Sequence, residues 1–178
     1  LEDSCGNCPS CKKAAGLIHP DIHFSFPTIV KTAGDKPIAS DFIQEWRSFV
    51  AQTPFGNAFD WLQCIGAENK QGNITAYECE EIIRKLNLKS FESGYKILIQ
   101  WMPEYLGLMG NKLLKMIEEP PANTLLIFVA QDEARLLGTI LSRTQLIKIN
   151  QLESKDVHEW LINKQAVPRE KALSIAPL

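Results

Sequence analysis

Two short apolar runs constrain this chain more than anything else in it. Lys96-Ile97-Leu98-Ile99-Gln100-Trp101 and Thr124-Leu125-Leu126-Ile127-Phe128-Val129-Ala130 carry apolar residues on consecutive positions. They lack the alternation of a strand that faces water on one side, and so predict strands buried on both faces, as in a parallel sheet. Between them, Asn111 to Glu118 places Leu113, Leu114 and Ile117 at helical spacing and runs into Pro120-Pro121, which cannot continue a helix. A short helix from Leu136 to Leu141 and a third strand over Gln145-Leu146-Ile147-Lys148-Ile149 are expected next. This strand–helix–strand–helix–strand order predicts an α/β layered domain with right-handed crossovers.

The rest of the chain reads as additions to that core. Residues 1–16 are small, polar and cysteine-rich, which suggests a knuckle and not a helix. A strand-like run follows from His19 to Phe24, continuing into Phe26-Pro27-Thr28-Ile29-Val30, and residues 31–38 read as a loop. Ser40 or Asp41 is placed to cap a helix carrying Phe42, Ile43, Trp46, Phe49 and Val50, broken at Thr53-Pro54-Phe55-Gly56-Asn57. Ala58 to Cys64 is short and aromatic. Thr75 opens a further helix with Glu78 and Glu81 near its first turn, where carboxylates suit the helix dipole, and Ile82, Ile83 and Leu86 inward. After Gln151 the pattern changes: Ser154 caps a helix with Val157, Trp160 and Leu161, and Pro168 starts another, so a domain boundary is expected near Asn150.

With 178 residues, 45% hydrophobic and 22% charged, the composition is that of an ordinary globular chain. No apolar run approaches the roughly 20 residues of a membrane-spanning helix, so no membrane partner is expected. A net charge of −2 excludes a broad electrostatic footprint for nucleic acid. The chain opens at Leu1 without a Met or a signal-peptide pattern and closes within a helix-rich stretch, so it is expected to be a fragment.

Three of the five cysteines stand at Cys5, Cys8 and Cys11, with Cys64 and Cys79 alone. An odd, uneven set argues against a disulfide framework and for a reducing, cytoplasmic setting with a metal. Each two-residue spacer lets neighbouring thiolates face one ion across a tight turn, and Gly6 permits the turn. Structural Zn²⁺ takes four ligands; the fourth is expected upstream of Leu1, with His19 and His23 as stand-ins. The alternative is an empty or oxidised cluster.

In P-loop ATPases a buried strand of the Lys96–Trp101 kind ends in acidic residues, one serving Mg²⁺ and the next the attacking water. Here the strand end reads Gln100-Trp101-Met102, and none of these is an anionic ligand or a base. Glu104 lies too far along, behind Pro103. Alone, this describes no more than a hydrophobic strand.

The helix ending Leu113-Leu114-Lys115-Met116-Ile117-Glu118-Glu119-Pro120-Pro121, the strand after Thr124, and Ser142-Arg143-Thr144-Gln145 together resemble bacterial sliding-clamp loader subunits of the AAA+ clamp-loader family. The cysteine knuckle ahead of His19-Pro20-Asp21 resembles that family's zinc module, and the likeness covers roughly 5–162. Thr144 departs from the family's usual cysteine, and residues 31–73 are longer and more aromatic than its usual segment. The resemblance implies a partial P-loop NTPase-like α/β core over 1–150, with a zinc-knuckle insertion at 1–18, a family-atypical insertion at 31–73, and the start of a small helical lid domain over 151–178.

It further implies that Gln100, Trp101 and Met102 occupy a degenerate Walker B position and that Gln131 stands at the sensor position. The chain would then be a non-hydrolysing subunit of the DNA polymerase III clamp loader, itself lacking ATPase and polymerase activity. Ser142 and Arg143 would form the trans ATP interface, Arg143 acting as an arginine finger in a neighbour's nucleotide site. An internal salt bridge of Arg143 is the other reading. The implied partners are the ATPase subunits and the delta subunit, with the sliding clamp and primer-template DNA met through the complex. Lys112 and Lys115 read as solvated helix charges before DNA contacts. An ATP-hydrolysing clamp-loader subunit of the tau/gamma type is the alternative, and would need an acidic pair after Ile99. A zinc-ribbon nucleic-acid-binding protein is a second, and would need a basic face with aromatics near the cysteines.

Overall fold

The computed structural model describes residues 3–67, 70–150, 152–165 and 167–171. The chain forms two compact units, Leu1–Thr144 and Gln145–Leu178. The first is built on a three-stranded parallel sheet in the order β1 (Ile22–Ser25), β2 (Lys96–Trp101), β3 (Thr124–Val129). Ile22 pairs with Ile97, Ser25 with Gln100, Lys96 with Thr124 and Trp101 with Val129. Helix α1 (Pro9–Ala15) precedes β1. Helices α2 (Ile43–Gln52), α3 (Ala58–Cys64) and α4 (Ala76–Asn87) lie between β1 and β2, α5 (Leu114–Glu118) between β2 and β3, and α6 (Gly138–Leu141) after β3. The second unit contains α7 (Ser154–Gln165).

Strand β2 is the centre of the sheet, and its two faces serve two cores. Lys96, Leu98 and Gln100 are buried on the α4 side. There Leu98 joins Ile82 and Leu86 of α4 with Leu106, Leu113, Ile117 and Ile140. On the other face Trp101 packs with Phe24 against a second core of Phe26, Phe42, Trp46, Phe49 and Trp61. The Phe26 and Trp46 rings stack at 4.3 Å, and Trp61 meets Phe26 edge-on at 5.0 Å, geometries that each add about 0.5–1.5 kcal/mol to area burial. The Trp61 indole donates to the Pro27 carbonyl at 2.7 Å, satisfying its one polar atom. The 31–73 segment therefore supplies most of a second, aromatic core, shared with Phe24, Phe26 and Trp101 of the sheet side.

Local chemistry fixes the helix ends. The Thr75 hydroxyl accepts the Glu78 N–H at 3.2 Å, as the sequence predicts. At the other end of α4, the buried Lys96 ammonium donates to the carbonyls of Leu86 and, at 2.6 Å, Leu88. A cation among the unpaired carbonyls of a helix C-terminus is favoured by hydrogen bonding and by the dipole.

Several expectations need correction. Residues 9–15 are helical: Pro9 takes the first helical position, and the Cys8 sulfur accepts the Cys11 N–H at 3.4 Å. Neither Ser40 nor Asp41 is an N-cap. Residues 39–42 form a 3₁₀ turn capped at Ile38, and the Asp41 carboxylate reaches back to the Ile38 N–H at 3.0 Å. The helix expected from Asn111 is α-helical only over Leu114–Glu118; before it a 3₁₀ run from Pro103 to Leu113 is kinked at Gly107, whose φ of 47° only glycine adopts easily. The strand expected at 145–149 is absent. Ile147 and Ile149 are 76% and 93% exposed, and the segment has no ladder partner among the described residues, without which an apolar run is not a strand.

Strand β3 is also not doubly buried. Leu126 and Phe128 pack on the α4-side core, whereas Leu125, Ile127 and Val129 stay exposed. Of the helical lid expected over 151–178, residues 151, 166 and 172–178 lie outside the described residues. Within it α7 begins at Ser154, and residues 169–171 are helical.

Candidate functional site

The cysteine turn is the first place where chemistry converges. Cys5 leads into Gly6 at φ 69°, Cys8 caps α1, and Cys11 lies one turn into that helix. The three sulfurs all lie within 4.8 Å of one another, with Cys5 and Cys11 at 3.8 Å. Two sulfurs held about 2.3 Å from one tetrahedral ion stand about 3.8 Å apart, the Cys5–Cys11 separation, so the three thiols cluster in an arrangement that could hold a metal ion. The backbone N–H groups of Cys8 and Asn7, then the neighbouring thiols, lower the Cys5 pKa to about 7, which favours the ligating thiolate. Burial pushes the isolated Cys79 thiol the other way, to about 11.

Neither histidine joins the cluster. His19 accepts the Asp21 N–H on Nδ1 at 3.2 Å, and His23 lies on β1, its pKa lowered by burial and then by Lys85. Asp21, whose role is not evident in the sequence, fixes the 91–93 loop that α1 meets. Its carboxylate accepts the N–H groups of Phe91, Glu92 and Ser93, the last two at 2.8 Å, and Lys13 of α1 pairs with Glu92.

The second place is the C-terminal end of the sheet, where open α/β sheets bind ligands. Gln100 is fully buried, and neither atom of its amide has a hydrogen-bond partner. Trp101 turns to the opposite face, 5.1 Å from the Trp46 ring. Met102 is buried with φ 53°, and its N–H closes the ladder onto the Val129 carbonyl at 2.9 Å. The acid that follows, Glu104, is buried and already engaged: one oxygen accepts the N–H groups of Gln131 and Asp132 at 2.6 and 2.8 Å. It pins the loop after β3 to the end of β2, so Gln131 enters through its backbone.

Ser142 and Arg143 follow α6. The Arg143 Nε donates to Glu118 at 2.6 Å, and a terminal nitrogen donates to the Thr139 carbonyl and the Ser142 hydroxyl. The salt bridge weighed from the sequence is therefore present, with both side chains partly exposed. It joins Arg143 to the end of α5, ahead of Pro120. Lys112 pairs with Glu80 at 2.8 Å.

The family described as DNA polymerase III, delta subunit, matches residues 1–153. The chain belongs to this family. Curated relatives named DNA polymerase III subunit delta′ are similar over nearly all of it. The protein of Haemophilus influenzae is 27% identical over 96% of the chain and 40% of its own length, that of Bacillus subtilis 24% over 93% and 38%, and that of Pseudomonas aeruginosa 25% over 98% and 41%. The chain thus spans about two fifths of these delta-family relatives. A solved structure of a DNA polymerase III gamma-subunit-related protein from Thermotoga maritima is 24% identical, with a TM-score of 0.46, over 60% of this chain and 39% of that one. Among the described residues no helix is long and apolar enough to cross a membrane.

Proposed function

We propose that this chain is part of a clamp-loader subunit that does not hydrolyse ATP and that lends Arg143 to the nucleotide site of a neighbouring ATPase subunit. The observation that carries the first half is the end of β2. Its last residues are a buried amide, an indole turned into the aromatic core and a buried thioether, and Glu104, the nearest acid beyond them, is held by two backbone N–H groups. A base or metal ligand must be free to meet its target; one Glu104 oxygen is held by the β3 loop and the other is buried.

For Arg143 the question is energetic. A partly exposed ion pair contributes about 0.2–1 kcal/mol, so leaving Glu118 costs little. A trans arginine that neutralises charge on the γ-phosphate is worth about 10³ to 10⁵ in rate, or roughly 4–7 kcal/mol. The finger assignment thus requires Arg143 to exchange Glu118 for a phosphate when a neighbour docks. Reading Arg143 as a purely internal bridge is favoured by the Glu118 contact itself.

The three cysteines are proposed as ligands of a structural Zn²⁺, with a fourth donor from elsewhere. The partners proposed are the other loader subunits and, through the complex, the sliding clamp and primer-template DNA, in the cytoplasm. The deciding experiment is hydrolysis by the reconstituted loader carrying Arg143→Ala beside Glu118→Gln. The expected outcome is a loss of at least about a hundredfold in clamp- and DNA-stimulated ATPase for Arg143→Ala, with Glu118→Gln near wild type. Wild-type hydrolysis by Arg143→Ala would remove the finger.

A further inference from the structure

The 31–73 segment does more than pack. Ser40, Ile43 and Arg47 form one wall of a half-open cleft of about 220 Å³ whose other walls are the Leu17–Pro20 turn, β1 and Lys85 of α4. Its chemistry is one-sided. Two fixed cations line it, Arg47 and Lys85, together with two imidazoles, and no carboxylate does.

Each of these groups has donors to spare. Arg47 uses Nε to hold the Leu17 carbonyl at 3.0 Å, which fixes the guanidinium and leaves its terminal nitrogens without a hydrogen bond among the described residues. His19 accepts the Asp21 N–H on Nδ1, so the neutral ring carries its proton on Nε2, a donor. Lys85 reaches Glu81 at 3.4 Å, a loose pair with one of its three N–H groups. The Asp21 carboxylate is bonded to the 91–93 backbone and does not line the cleft, although its charge and that of Glu81 act on His23. Between the donors the walls are aliphatic and aromatic, with Ile18, Ile43 and Phe24 among them.

We propose that this cleft binds an acidic segment of a partner protein, seating one apolar side chain between Ile18 and Ile43 and placing a neighbouring carboxylate against Arg47 and Lys85. Volume decides for a segment over a metabolite. Small-molecule sites run to about 300–1,000 Å³, and this cleft holds about one side chain, with an open mouth through which a chain continues. Charge decides for an acidic one. A guanidinium pre-positioned by its own Nε bond loses little entropy on gripping a carboxylate, and such charge-assisted bonds are about twice as strong as neutral ones. The apolar walls decide against a nucleic-acid backbone, which offers no aliphatic group to fill them.

The test is fluorescence anisotropy on the full-length protein with three labelled probes: a short peptide of alternating Asp and Leu, the same peptide with Asn for Asp, and a single-stranded oligothymidine. The Asp-Leu peptide is expected to bind at least about tenfold more tightly than the Asn-Leu peptide, and to weaken as salt is raised. Arg47→Gln and Lys85→Gln are each expected to weaken it about fivefold or more. Because Arg47→Gln also removes the Leu17 bond, Lys85→Gln decides alone if that variant melts early. Equal binding of the two peptides, unchanged affinity in Lys85→Gln, displacement of the peptide by oligothymidine, or no binding at millimolar peptide would each overturn the proposal.

Discussion

Replacing Asp21 with Asn tests how the 91–93 loop is fixed to the sheet. Desolvation alone would raise the Asp21 pKa, but the N–H groups of Phe91, Ser93 and Glu92, with the Ser93 hydroxyl, bring it down from 3.8 to about 2. The folded pKa lies below the unfolded one, so the carboxylate's stabilisation is fully present above about pH 4 and is lost as pH falls towards 2. At about 1.36 kcal/mol per unit such a shift is worth on the order of 2 kcal/mol. Asp21→Asn keeps the shape and one acceptor oxygen but turns an N–H₂ towards backbone donors. Wild type and variant are expected to differ by that amount at pH 6–7 in chemical denaturation, to draw closer by pH 2.5 and to converge only below about pH 2. Amide exchange at Phe91, Glu92 and Ser93 should accelerate in the variant. A stability difference that stays constant between pH 7 and pH 2.5 would refute the carboxylate as its source.

Other substitutions probe separate parts. Cys8→Ser is expected to abolish the thiolate-to-metal charge-transfer band of the cobalt-loaded protein, while Cys64→Ser, outside the cluster, leaves it intact. Lys96→Met keeps the buried stem but strips the Leu86 and Leu88 carbonyls of their donor; it should cost roughly 1–3 kcal/mol in denaturant unfolding. Trp46→Ala empties the centre of the aromatic core and is expected to cost about 3–5 kcal/mol, with loss of the near-ultraviolet circular dichroism of the stacked rings.

What was legible in the sequence followed from periodicity and local chemistry. The runs at 96–101 and 124–129 read as strands because they are short, apolar on consecutive positions and rich in β-branched and aromatic residues. Thr75 caps because its hydroxyl lies three residues before a free N–H. The three cysteines converge because their spacers force it. Illegible were the contacts made by groups distant in sequence. Asp21 binds a loop 70 residues away, Lys96 a helix end beside its strand, and Glu104 a loop beyond the next strand. Each is a charged residue in an ordinary-looking place, and only the fold supplies the partner. Gln145 to Ile149 failed the other way: its apolar residues satisfy the strand pattern, but a strand exists only when an edge pairs with it.

That difference bears on how the sheet's end is read. A missing acid at Gln100–Met102 is by itself negative information, and many buried strands lack acids. Glu104 makes it positive. A carboxylate is present near the strand end, it is buried, and both of its hydrogen bonds fasten the β3 loop. Burying a carboxylate is costly unless it is bonded; Oε1 takes both loop N–H groups, while Oε2 is buried with no hydrogen-bond partner among the described residues. The pinned loop leads through residues 133–135 to α6 and then to Ser142 and Arg143. On the proposed reading, the loop held by Glu104 and the surface ion pair of Arg143 belong to one arrangement. Glu104→Gln separates these roles. It keeps the side chain's reach but weakens both hydrogen bonds, so a loader carrying it should retain nucleotide binding in the neighbouring subunit and lose part of the stimulation attributed to Arg143. Unaltered stimulation would break the link between the pinned loop and the arginine.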